Sequence, residues 1–148
     1  MASIPAPAQA LLGSDAVAHV WTRNADGSPQ VSVVWVLAQG DEILFGCGAD
    51  SRKARNLRRD PQVVVSIEDT ERNERGFQRH LVIRGTATIG PCDPDVLARL
   101  SQMYTGLDEH PLLRPDARDC AMVRVGVERI SGVGPWVEPS AEPARATR

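Results

Sequence analysis

The chain has 148 residues and almost no lysine: Lys53 stands alone against sixteen arginines. It also lacks any apolar run near the ~18 residues that a membrane span needs, and Met1 to Gln9 has neither the basic start nor the apolar stretch of a secretory signal. A cytoplasmic protein with no membrane partner is expected. Cysteine is scarce too. Cys47, Cys92 and Cys120 are odd in number and never form a CxxC pair, which argues against a zinc site and a disulfide scaffold, so three reduced and mostly buried thiols are expected. His19, His80 and His110 show no metal-ligand spacing and read as structural or exposed, with no metal. No Ser-His-Asp order and no paired carboxylates stand out. The formal net charge of −2 gives no global attraction to nucleic acid, so any anion site must be a local concentration of charge.

What is present is one domain's worth of chain with short β-prone segments. Ala6 to Leu12 predicts a short helix stopped by Gly13. Ala16 to Arg23 and Gln30 to Leu37 read as strands around the turn Asn24-Ala25-Asp26-Gly27, whose residues tolerate left-handed backbone. Glu42 to Cys47 follows as a third strand, and the three together suggest a meander. Asp50 or Ser51 caps a helix ended by Pro61, with Ala54 and Leu57 on one face. Val63 to Ile67 is the next strand, Asp69 to Gly76 a charged loop, and Arg79 to Ile89 a fifth strand with Gly85 as a bulge candidate. A second amphipathic helix spans Asp95 to Tyr104. Thr105 to Asp119 reads as a loop, Cys120 to Val127 as a sixth strand and Arg129 to Val133 as a seventh. The fold class is mainly β with short helices, a closed or nearly closed antiparallel barrel of six to seven strands over residues 1–137. The Pro, Ala, Ser and Glu tail, 138–148, is expected to be disordered.

The chemistry concentrates where a strand turns into a helix, from Gly46-Cys47-Gly48 to Ser51-Arg52-Lys53. A helix start offers unpaired N–H groups and a positive dipole end, and the two adjacent cations add charge-assisted hydrogen bonds. Phosphate is the natural ligand. From charge alone, a solvated arginine-rich face is equally compatible.

The run Ser51-Arg52-Lys53-Ala54-Arg55-Asn56-Leu57-Arg58-Arg59-Asp60-Pro61, preceded by Asp26-Gly27-Ser28-Pro29-Gln30-Val31-Ser32, resembles the pyridoxamine 5′-phosphate oxidase-like superfamily, in particular its coenzyme F420-dependent branch. The resemblance covers roughly residues 10 to 135. It implies a split β-barrel homodimer with the cofactor held between subunits and a small-molecule substrate. It implies that Ser51, Arg52 and Lys53 meet the cofactor phosphate, with Asn56 supporting the same turn. Gln30, Ser32 and Val33 would line the tricyclic ring over a floor of Gly46 and Cys47, while Phe77 and Trp136 would approach the cofactor. The arginine-rich, lysine-poor composition suits a GC-rich genome such as those of actinobacteria, where that coenzyme is common.

The function implied is hydride transfer between reduced F420 and an electron-poor organic substrate. No general acid or base is assigned, because the cofactor carries the difficult chemistry; Tyr104 and Arg75 are the candidates for a proton donor. FMN-dependent oxidation or reduction on the same barrel is the alternative, and a non-catalytic flavin, deazaflavin or haem binder is the rival from another class. Arg55, Arg58 and Arg59 are candidates to attract the coenzyme's polyglutamate tail. The loops Asp69 to Gly76 and Thr105 to Asp119 would set the substrate.

Overall fold

The structure is a computed structural model, which describes residues 2–114 and 119–137. The expected disordered tail lies outside the described residues. Helix α1 (Ala6–Leu12) precedes the hairpin β1 (Ala18–Arg23) and β2 (Pro29–Val34), and a second hairpin follows, β3 (Leu37–Gln39) and β4 (Glu42–Gly48). Then come α2 (Arg52–Arg59), β5 (Gln62–Arg72), β6 (Gln78–Pro91), α3 (Pro94–Thr105), a 3-10 turn (Pro111–Leu113) and β7 (Cys120–Val133).

All seven strands join one antiparallel sheet in the order β2-β1-β5-β6-β7-β4-β3. The two edge strands, β2 and β3, are consecutive in the chain. Only Trp35 and Val36 lie between them, so Val34 and Leu37 are at most ~11 Å apart. In a flat sheet of seven strands the edges would stand ~29 Å apart. The sheet therefore curls until its edges nearly meet, as a split barrel. The expected meander does not form, because β4 pairs with β7 and leaves β1 and β2 as a separate hairpin.

The barrel interior is filled from alternate positions of each strand, including Val20, Ile43, Phe45, Val65, Ile83 and Val125. A second cluster lies outside the barrel, where Leu44 and Met122 meet Leu97 and Leu100 of α3. Strand β4 is thus covered on both faces, which explains its run Ile43-Leu44-Phe45 with no alternation.

Two boundaries and the state of two cysteines differ from expectation. Strand β5 continues through the charged segment, with Arg72 opposite Gln78, and the turn is confined to Asn73–Gly76. The expected sixth and seventh strands are one long strand, β7, paired with β6 through a register shift at Arg84/Gly85. A Cβ on Gly85 would sit 2.4 Å from the Gly126 carbonyl oxygen, so the bulge requires glycine there. Finally, Cys92 and Cys120 are not reduced: they form a disulfide with Cα atoms 5.3 Å apart. Pro91 pairs with Ala121 in the β6/β7 ladder, so the next residues outward, Cys92 and Cys120, fall opposite each other. Their separation of 28 residues concealed that register. Cys47 is the free, buried cysteine.

Candidate functional site

Helix α2 begins at Ser51, whose Oγ accepts the N–H of Ala54 at 3.3 Å. The N–H groups of Arg52 and Lys53 have no acceptor within the helix, as at any helix start. The inner face is tied down by a polar network. Asn56 is 3 % exposed and donates to Thr22 Oγ1 and Asn24 Oδ1, each at 3.0 Å, while Thr22 donates to Gln30 Oε1 at 2.7 Å. The β1–β2 hairpin and α2 are thereby locked into one unit. Asp26 stabilises the intervening turn by accepting from Ser28; that hydrogen bond, chiefly, holds its carboxyl below the usual range, and Arg52 adds a smaller pull.

Against the start of α2 opens a cavity of about 290 Å³. Its lining comes from Val33, Val34 and Trp35 at and after the end of β2, Gly46 and Cys47 on β4, Lys53 in the first turn of α2, and His110, Pro111 and Leu112 in the loop after α3. Gly46 is required for this closeness: a Cβ there would lie 2.7 Å from Leu97 Cδ2 and 3.2 Å from Leu112 Cδ1. Burial pushes the Cys47 thiol above its ordinary range, opposed by the Ser51 hydroxyl and by the charges of Lys53 and Arg58. No hydrogen bond or ion pair engages the Lys53 ammonium among the described residues.

Of the residues singled out from the sequence, Val33, Gly46, Cys47 and Lys53 meet in this cavity. Ser51 caps the helix beside Cys47, and Arg52 is exposed in the first turn. Gln30 and Asn56 belong to the network behind the helix rather than to the cavity wall. Ser32 lies two residues after Gln30 on β2, with a buried hydroxyl that has no hydrogen-bond partner among the described residues. Phe77 is exposed at the tip of the β5–β6 hairpin, and Trp136 is buried in the barrel core, donating Nε1–H to the His80 carbonyl at 3.0 Å. Neither lines the cavity. Arg58 donates to the Ala49 carbonyl at 2.6 Å and Arg59 to that of Arg23, so these two guanidiniums hold the fold. Trp35, His110, Pro111 and Leu112 were not anticipated individually; the wall they build comes from a loop whose sequence has no periodicity.

A phosphate-bearing flavin-type cofactor fits this donor set. The lining offers the Lys53 ammonium in the first turn of a capped helix and bare glycine backbone at Gly46, together with the side chains of Val33, Val34, Trp35, Pro111 and Leu112.

The family model for pyridoxamine 5′-phosphate oxidase matches residues 4–134, and the chain belongs to that family. No curated protein sequence matches it. Among solved structures, an F420 reductase superposes with a TM-score of 0.72 and 27 % identity, covering 86 % of this chain and 98 % of the other. The conserved hypothetical protein Rv2991 from Mycobacterium tuberculosis gives 0.69 and 27 %, over 89 % and 87 %. A heme binding protein from Mycobacterium smegmatis shares the fold at 0.64 and 20 %, over 85 % of this chain and 52 % of its own. No helix among the described residues is long and apolar enough to cross a membrane.

Proposed function

We propose that the protein is an F420-dependent oxidoreductase that passes a hydride between the reduced deazaflavin and a small electron-poor organic substrate. The observation that carries this reading is the unpartnered Lys53 ammonium at the start of α2, opening into a cavity with an apolar flank. The similarity to an F420 reductase at 27 % identity supports the deazaflavin over other flavins. The coenzyme supplies hydride chemistry, and the chain supplies position. Lys53, with the N–H groups of the first turn, holds the phosphate; Val33, Val34 and Trp35 hold the ring by apolar contact and keep water from it.

Tyr104 is not the proton donor, because its hydroxyl is committed to the Ala16 and Val36 carbonyls at 2.8 and 3.1 Å and accepts the Val36 N–H. Arg75 sits in the distant β5–β6 turn. Since Arg58 and Arg59 are engaged, Arg52 and Arg55 are the exposed cations of α2 left to meet the coenzyme's acidic tail. Fluorescence titration of the purified protein with F420 and with FMN tests the reading. F420 binding at least tenfold tighter is expected, and tighter FMN binding overturns it.

The same reading includes a homodimer. Strand β2 is a sheet edge on which Val31 and Val33 are each 58 % exposed. Register places Val31, Trp21, Val64 and Arg84 in one row on the outer face, beside the row Val33, His19, Ser66 and Val82. Exposed valines on an open sheet edge make a surface that association covers. Val33 belongs both to that face and to the cavity, so a second copy seated there would complete the cofactor site. Light scattering showing a monomer at micromolar concentration with normal cofactor affinity would refute this.

A further inference from the structure

The Cys92–Cys120 disulfide lies outside the barrel core. Cys92 follows the end of β6 and Cys120 opens β7, and both pack against the cluster of Leu44, Leu97, Leu100 and Met122, as do Trp35 and Leu112 of the cavity lining. The bond is not what brings the two cysteines together. The β6/β7 ladder runs from His80 opposite Val133 to Pro91 opposite Ala121, so backbone pairing alone keeps the next residues outward facing each other. What the bond adds is closure of the excursion between them, which carries α3 and the residues His110, Pro111 and Leu112. That excursion bears directly on the cavity: Leu97 and Leu112 press on Gly46 so closely that no Cβ fits there. Cys120 also reaches the segment that leads into Lys53. It pairs with Gly48 in the β4/β7 ladder, and the neighbouring Asp119 carbonyl accepts the Ala49 N–H at 2.7 Å, two residues before the Ser51 cap. Both bonded cysteines are half-buried, whereas Cys47 is buried, so the bond lies at the surface of its cluster.

We propose that the Cys92–Cys120 bond is a reversible redox modification site that sets how tightly the cavity holds its ligand. Oxidised, it keeps α3 and the loop after it seated on the lining; reduced, it releases them while the barrel stays folded. The proposal rests on the cofactor reading above and adds its regulation. The reagent class is a dithiol. One thiolate of the dithiol attacks a sulfur of the Cys92–Cys120 bond, forming a mixed disulfide and expelling the other cysteine as a thiolate, which takes up a proton. The second thiol of the reagent loses its proton and attacks the mixed disulfide, closing a disulfide within the reagent and freeing the remaining cysteine, which is protonated in turn. Two electrons and two protons pass to the protein, and the reagent is left oxidised. The reverse steps restore the bond, with the β6/β7 ladder holding the two residues in place. Opening the cross-link returns conformational freedom to the segment it closed, whose ends are 28 residues apart. A ligand that needs the lining in one arrangement must then supply that ordering itself. Linkage is reciprocal: whatever factor oxidation contributes to ligand affinity, bound ligand contributes to the stability of the disulfide.

The test titrates wild-type protein with F420 and with FMN, once after oxidation with glutathione disulfide and once after reduction with dithiothreitol. Thiols are counted by alkylation and mass; one free thiol, that of Cys47, is expected in the oxidised form and all three in the reduced form. F420 affinity is expected to fall roughly tenfold on reduction, and saturating F420 to lower the potential of the disulfide by the equivalent, about 30 mV, in glutathione redox buffers. The double variant Cys92→Ser, Cys120→Ser keeps Cys47 and is expected to bind as the reduced wild type does under both conditions. Hydrogen exchange of ligand-free protein, read by mass spectrometry, is expected to quicken over residues 94–113 on reduction and to stay unchanged in β1 and β5. Equal affinity in the two states, a redox response that persists in the double variant, or exchange over 94–113 that ignores reduction overturns the proposal; if the double variant does not fold, the wild-type measurements decide alone. If FMN proves the tighter ligand, its ratio between the two states replaces that of F420. If neither cofactor binds in either state while exchange responds, the cofactor reading falls and the redox release of α3 and its loop stands. If F420 binds equally well in both states, the cofactor reading stands and the redox assignment falls.

Discussion

Replacing Lys53 by alanine separates binding from folding, because the ammonium has no partner among the described residues to lose. If it pairs with a cofactor phosphate at the start of α2, the variant forfeits one charge-assisted hydrogen bond, about 1.5–3 kcal/mol. Cofactor affinity should then fall roughly 10- to 150-fold. Stability should change by less than about 0.5 kcal/mol, as for a surface site outside the core. Lys53→Arg should fall between, since charge is kept and compact geometry lost. Raising salt should weaken wild type more than Lys53→Ala, because the missing contact is the screened one. Arg59→Ala is the internal control on the same helix: its guanidinium holds the Arg23 carbonyl and, at 3.3 Å, Asn56 Oδ1, so stability should drop with less effect on affinity. Fluorescence titrations at two salt concentrations, alongside denaturation of each variant, supply every quantity. Unchanged affinity in Lys53→Ala would remove Lys53 from the site and with it most of the case for a phosphate there.

Asn56→Ala should cost about 2–4 kcal/mol, since two buried hydrogen bonds joining α2 to the β1–β2 hairpin disappear at once; urea unfolding measures it. Gly85→Ala puts a Cβ 2.4 Å from a backbone oxygen that cannot swing aside, so a loss above about 2 kcal/mol, or no soluble product, is expected on expression and thermal melting. Burial raises both the Cys47 thiol and the Tyr104 phenol above their ordinary values of 9.0 and 10.0. For both, the unfolded chain ionises first, so their contribution is intact below pH 9 and declines as pH rises beyond it. Urea midpoints that stay level from pH 8 to pH 10.5 would contradict this.

Alternation of apolar residues and the glycine-bearing turns made the strands legible, and the capping hydroxyl of Ser51 made α2 so. Local pattern says nothing about which strands pair. Leu37 reads as the end of the second strand in sequence, yet it starts β3 on the opposite edge of the sheet, because closing the barrel depends on contacts between distant segments. The Cys92–Cys120 disulfide was missed for the same reason: its geometry is a consequence of the β6/β7 register. Lys53 stood out because a helix start with adjacent cations is a local signature of anion binding, whereas Gly46 and Cys47 were singled out through the family resemblance; the three line one cavity. His110 did not stand out, since a single histidine in an aperiodic loop has no signature; only its packing against Trp35 in the folded chain places it in the cavity.

One junction braces two of the segments that line the cavity. The Asp119 carbonyl accepts the N–H of Ala49 at 2.7 Å, which ties the strand-to-helix turn before Ser51 to the start of β7. The adjacent residue, Cys120, is bonded to Cys92, and the 28-residue loop so closed carries α3 and the His110–Leu112 wall. The turn that leads into Lys53 and the loop that presents His110, Pro111 and Leu112 therefore share an anchor outside the barrel core. Substitutions in the barrel, such as one at Gly85, act on the whole fold. Loosening the junction would act on the cavity lining while leaving the barrel intact.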